Sequence, residues 1–132
     1  MKLLDTTFLI DYERGEEAVA EYLEANGAAE FITSTLCIKE LAVGMHVVGD
    51  PTRADVLAPY SWLEVIPFRT DHAIVAGEME AELHADESVN RDHINAAAGD
   101  LLIAAVARTM DATVVTNDRD DFDRFDVTVE GY

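Results

Sequence analysis

Three features of the sequence predict an α/β domain built on a largely parallel sheet. Short runs rich in β-branched and apolar residues alternate with longer stretches of helical spacing, and the glycines and prolines that matter fall between these stretches. No repeat, low-complexity tract or flexible linker divides the chain, so its 132 residues are expected to form one domain, 1–132. Strands that alternate with helices need crossover connections, which place helices on both faces of a parallel sheet.

The elements follow in order. Lys2 to Leu4 reads as a short strand, and Phe8 to Glu13 and Glu16 to Asn26 as helices, separated by Gly15 and stopped by Gly27 in the position after the helix end. Phe31 to Thr33 is a second strand. Thr35 to Val48 has helical spacing and ends at Gly49-Asp50-Pro51; Leu63 to Ile66 is a third strand closed by Pro67. From Asp71 to Ala85 the apolar residues Ile74, Val75, Met79 and Leu83 recur near the helical period, and the polar stretch Asp86 to His93 interrupts them. Leu101 to Met110 is the last helix. Thr113 to Thr116 and Val127 to Val129 are strands on either side of an acidic turn that carries Phe122 and Phe125.

Composition narrows the function classes. The hydrophobic fraction is 49% and the mean hydropathy is +0.02, and no apolar run approaches the roughly 18 residues of a membrane span. Met1-Lys2-Leu3-Leu4-Asp5 reaches an acid before any apolar stretch and does not read as a signal peptide, so a cytoplasmic protein is expected. Cys37 is the single cysteine and has no partner for a disulfide, which fits a reducing compartment and a small core residue. The net charge of −18 is the outstanding property. It can mark a chain that avoids nucleic acid, or one adapted to a cytoplasm salty enough to shrink the Debye length to about 3 Å. Only two lysines are present among nine cations, and the acids are spread along Glu13 to Glu24, Glu78 to Glu87 and Asp118 to Asp126. That dispersal favours a halophilic source.

Four acids stand out for their positions. Asp5 directly follows the first strand and Asp118 lies just past Thr113 to Thr116, so parallel strands would bring both to the carboxyl edge where open α/β sheets bind ligands. Each also has a local explanation: Asp5 as a helix cap, Asp118 as a turn residue. In the helix Thr35 to Val48, Glu40 has Leu36, Cys37, Val43 and Gly44 at helical neighbour spacings and no cation among them. A carboxylate on such a stripe is paired, neutralised or metal-bound, unless its head reaches solvent. Asp100 precedes the apolar run Leu101 to Ala107 and fits either a helix cap or a carboxylate aimed at the same edge; the small residues Ala96 to Gly99 would admit a neighbouring element. The histidines His46, His72, His84 and His93 show no metal-ligand spacing and are expected at the surface. Arg14, Arg53, Arg91 and Arg119 are candidates for phosphate contacts and read equally as solvated residues.

As an ordered set the motifs are more specific than any one of them. Leu3-Leu4-Asp5-Thr6-Thr7-Phe8-Leu9-Ile10-Asp11, then Ser34-Thr35 leading to Lys39-Glu40-Leu41 and Gly44, then Asp100 to Ala107, and Val114-Val115-Thr116-Asn117-Asp118 running on to Asp121-Phe122 span nearly the whole chain. In order and spacing this resembles a PIN-domain nuclease of the VapC toxin type. The resemblance implies a three-layer α/β/α sandwich around a mostly parallel sheet of about five strands, and Mg²⁺- or Mn²⁺-dependent cleavage of single-stranded RNA. By position it makes Asp5 and Asp100 the principal metal ligands, with Glu40 and Asp118 completing the set and Thr116 supporting it. Thr7 stands where the family often has Asn or Ser, and Asp121 competes with Asp118 for the fourth place. The resemblance further implies a homodimer and a small VapB-like antitoxin, for which the Asp71 to Ala85 helix and Trp62-Leu63 are possible contacts.

Other classes fit less well. A haloacid-dehalogenase-like phosphatase needs an acid two residues after Asp5, where Thr7 stands, and a phospho-receiver domain needs a late lysine that the sequence lacks. A housekeeping RNA-processing PIN nuclease shares the same chemistry. A catalytically silent PIN module would be expected to have lost one of the four acids.

Overall fold

A computed structural model describes all 132 residues. The strands are β1 (Lys2–Leu4), β2 (Phe31–Ser34), β3 (Glu64–Ile66), β4 (Thr113–Val115) and β5 (Val129–Glu130). They form one sheet in the order β3-β2-β1-β4-β5, and every neighbouring pair is parallel. Seven helices surround it: α1 (Thr6–Arg14), α2 (Glu17–Ala25), α3 (Thr35–Val48), α4 (Arg53–Leu57), α5 (Thr70–Ala85), α6 (Arg91–Ala96) and α7 (Ala98–Thr109). Short 3₁₀ turns cover Ala58–Tyr60 and Arg119–Phe122.

Consecutive residues of a strand point to opposite faces of the sheet. Leu3 and Leu4 of β1, and Val114 and Val115 of β4, are all fully buried, so both faces of the central strands are covered. This is the three-layer PIN-like α/β/α arrangement. One core cluster runs through the molecule, joining β1 and β4 to α1, to α3 through Cys37 and Leu41, and to the apolar run Leu101 to Ala107 of α7.

Local chemistry sets the boundaries. Ser34 ends β2 and caps α3, its Oγ accepting the Leu36 N–H at 3.1 Å. The left-handed glycine is Gly15, at φ 71°, whose N–H closes α1 on the Asp11 and Tyr12 carbonyls. Gly27 does not adopt that conformation; α2 ends instead at Asn26, whose N–H reaches the Tyr22 carbonyl.

Two short helices escape the periodic pattern. In α4, Thr52 and Asp55 exchange side-chain to backbone bonds in a capping box, and α6 is capped by Asn90 Oδ1 on the His93 N–H at 2.8 Å. Helices of five and six residues are too short to repeat an apolar face, so only their caps announce them. α5 is present and turns Val75, Met79 and Leu83 to the core as expected, with Ile74 the exception. It buries His72, Ala76, Met79 and Leu83, and leaves Ile74 60% exposed. His72 is therefore a core residue and not a surface one; its Nδ1 accepts the Arg69 N–H at 3.0 Å and starts the helix. No helix is long and apolar enough to cross a membrane.

Candidate active site

Strand order reverses at β1: the chain steps from β1 outward through β2 to β3, then crosses back to place β4 on the other side of β1. Such a switch point opens a crevice at the carboxyl ends of the two central strands. Asp5 follows β1 and Thr116 follows β4, with the register Leu4 to Val115 holding the two strand ends level. The Asp5 N–H continues the ladder to the Val115 carbonyl at 3.1 Å. α3 leaves β2 at the same edge and carries Glu40 in its second turn, and α7 carries Asp100 in its first turn. The N-cap of α7 is Ala97, three residues before Asp100, so Asp100 does not take the capping position. Asp5 holds the N-cap position of α1 without a side-chain cap bond. Its carboxylate is directed elsewhere.

Hydroxyls hold these acids in place. Thr116 Oγ1 is fully buried and donates to Asp5 Oδ2 at 3.0 Å, while accepting the Asp118 N–H at 3.0 Å. Thr7 Oγ1 stands 3.5 Å from the same Asp5 oxygen and 3.2 Å from Thr116 Oγ1. Glu40 Oε2 accepts from Thr6 Oγ1. A Cβ placed on Gly99 would lie 3.5 Å from Glu40 Oε1, so the small residues before Asp100 let α3 and α7 approach there. At the far side of the threonines, the Tyr132 hydroxyl donates to Asp11 Oδ2 at 2.7 Å, and the Tyr132 ring packs edge-on against Phe8 at 4.7 Å.

The electrostatics tie the acids together. Burial pushes the Asp5 carboxyl above its ordinary range, the Thr6 amide and Thr116 hydroxyl pull it back, and the charges of Glu40 and Asp118 raise it again. Asp100 is pushed up to about 7, first by burial and then by Asp5, Asp121, Glu40 and Asp118. The set brought together is therefore Asp5, Glu40, Asp100 and Asp118, with Asp121 beside Asp100; of the last two, Asp118 is the one felt at Asp5. Asp118 and Asp121 are solvent-exposed and Asp5 is 5% exposed. No cation forms a salt bridge with any of these acids.

A thiol nucleophile is not offered here. Cys37 lies buried beneath the site, and burial followed by the Asp5 charge raises its thiol to about 12. It stays protonated and inert at neutral pH.

The donor set consists of carboxylate and hydroxyl oxygens, the chemistry preferred by a hard divalent cation. No three carboxylates converge within ligating range of one point. Thr6 holds the Glu40 carboxylate, while Thr116 and Thr7 hold that of Asp5. The oxygens fit such an ion in kind. Thr6 and the Asp11–Tyr132 pair were not legible as site residues. Nothing in the sequence links residue 6 to residue 40 or residue 11 to residue 132; only the fold does.

Comparison with known proteins agrees with this architecture. No curated protein matches the chain. Among solved structures, the chain superposes on VapBC2 from Rickettsia felis bound to a promoter DNA fragment with a TM-score of 0.76 at 22% identity, covering 99% of this chain and 98% of that one. DNA-bound VapBC from Salmonella typhimurium gives 0.75 at 26% identity, with 98% and 96% covered. VapBC-5 from Mycobacterium tuberculosis, a member of a family of toxin-antitoxin systems, gives 0.62 at 27% identity, with 98% and 95% covered. The sequence profile of the PIN domain matches residues 2–127, which contain all the acids of the switch-point crevice, and the chain belongs to the PIN domain family.

Proposed function

We propose that the chain is a Mg²⁺-dependent endoribonuclease of the VapC toxin type, with Mn²⁺ as an alternative ion. The observation that supports it most is the coupling of Asp5, Glu40, Asp100 and Asp118, drawn from distant segments to one sheet edge with no cation pairing them. Negative charge gathered in this way stabilises no fold by itself, and its retention calls for a positive ligand.

In this reading Asp5 and Asp100 hold the ion and Glu40 and Asp118 complete its surroundings. When bound, the ion would polarise the scissile phosphate and lower the pKa of a water that attacks phosphorus in line. The chain's residues set the stage for that chemistry. Thr116 fixes the Asp5 carboxylate and, through the Asp118 N–H, the start of the acidic turn. Thr6 fixes Glu40 on the opposite side, and Glu40 or Asp118 orients the attacking water. Asp121 is the reserve for the fourth position, and Thr7 braces Asp5 and Thr116 together.

The structural neighbours are toxin-antitoxin assemblies, some bound to DNA. By analogy the chain is a homodimer neutralised by a VapB-like antitoxin, and it works in a salt-rich cytoplasm that screens its charge. The direct test is RNA cleavage at high KCl with Mg²⁺, with EDTA, and with Asp5→Asn or Asp100→Asn protein. Cleavage should depend on the ion and fall at least 100-fold in either variant; activity that survives chelation or both substitutions overturns the proposal. A short open reading frame immediately upstream would separate a toxin from a housekeeping nuclease.

A further inference from the structure

A cavity of about 390 Å³ adjoins the acids and shares Asp100 and Asp121 with them. That size lies within the ordinary range for a small-ligand site, roughly 300–1,000 Å³. Much of its lining is apolar: Val89 from the segment between α5 and α6, Ile94 from α6, and Phe125 after the acidic turn. Arg124 is the one Arg or Lys in the lining, which it shares with His93, Asp100, Asp120 and Asp121; it forms no salt bridge, and its charge is felt at Asp86. In a chain with 9 cations against 27 acids, a guanidinium at this place is notable for its position.

We infer that this cavity receives the base of the nucleotide beside the scissile phosphate, with Arg124 meeting that nucleotide's phosphate. The inference rests on the nuclease reading of the adjoining acids. Single-stranded RNA presents unstacked bases whose faces favour apolar and aromatic surfaces, while its phosphates favour a planar guanidinium. The cavity lining supplies both partners, and Asp100, beside which the phosphodiester would be cut, lines the same cavity. An enzyme built in this way selects a base at one position next to the cleaved bond.

Two measurements test it. The first is steady-state cleavage of short single-stranded RNAs that differ at one nucleotide, by wild type, Arg124→Ala and Val89→Trp. Arg124 is exposed, so its loss leaves the core intact. Wild type should prefer one or two bases at a single position by tenfold or more. Arg124→Ala should raise KM at least tenfold with a much smaller change in kcat, and Val89→Trp, which fills the cavity, should flatten the base preference. A flat wild-type profile, or variants that keep the wild-type KM and preference, overturns the inference and leaves the nuclease reading standing.

The second is methyl NMR of Val89 and Ile94 in Asp5→Asn protein titrated with the same RNAs. Shifts that saturate and depend on the base support the inference even if no cleavage is seen in wild type, a result that would defeat the nuclease reading alone. Methyl signals that move with a protein partner and not with RNA overturn it.

Discussion

At the scale of single residues, Asp100 and Thr116 carry the sharpest expectations. The folded protein holds a proton on Asp100 up to about 7, whereas an unperturbed aspartate releases it near 3.8. Between those values the folded state binds more protons than the unfolded one, so ion-free stability falls as pH rises through the window. Asp100→Asn removes this penalty. In EDTA, urea unfolding should find the variant more stable than wild type by about 1–2 kcal/mol at pH 8, a figure discounted for the residue's partial exposure, with no gain below pH 4. Cleavage should be lost in the same protein, which separates a group kept for chemistry from one kept for the fold. Thr116→Val makes the opposite prediction for stability. It strips Asp5 of its buried hydroxyl donor and the Asp118 N–H of its acceptor, and should cost about 1–3 kcal/mol in urea unfolding along with at least tenfold in cleavage rate. The part of the site made by such contacts was only half legible. Asp5, Glu40, Asp100 and Asp118 could be named from where they fall relative to strands and apolar runs. Thr6, whose hydroxyl meets Glu40 across 34 residues of sequence, could not.

At the scale of elements, the comparison turns on how much pattern each segment carries. β1 was legible as an apolar run ending at Asp5, and α3 and the Leu101 to Ala107 run of α7 because successive turns of helix repeat their signal. α4 and α6 were not, since a single turn has no period to detect. α5 shows a subtler failure: its existence and most of its buried face were plain, but the place of Ile74 was not. Apolar residues occur on more than one side of it, and burying His72 through the Arg69 N–H fixes a rotation that leaves Ile74 outside. This has a direct check. Met79→Ala should destabilise by about 2–4 kcal/mol, while Ile74→Ala should stay within about 0.5 kcal/mol of wild type in thermal or urea unfolding. Equal effects would mean that Ile74 faces the core as its hydropathy suggested.

At the scale of the whole molecule, the charge of −18 and the parallel sheet answer different questions. Strand order places the carboxyl ends of β1 and β4 side by side, and the acids reach one crevice because of that topology. Most of the remaining acids are dispersed over exposed positions and repel one another. Raising KCl from about 0.1 M to about 1 M shortens the Debye length from about 10 Å to about 3 Å and should raise the melting temperature by several degrees. A melting temperature that is flat or falls with salt would remove the case for adaptation to a saline cytoplasm. RNA affinity should move the other way, because phosphate contacts weaken as salt rises.

The most direct measurement is Mn²⁺ binding followed by electron paramagnetic resonance in wild type, Asp5→Asn and Asp100→Asn, at one pH and one KCl concentration. Saturable binding in wild type that weakens at least tenfold in each variant is the expected result, since residues 95 apart in sequence would then be acting on one ion. Equal binding by all three proteins would show that these carboxylates share no cation, and the proposed chemistry would fail with it.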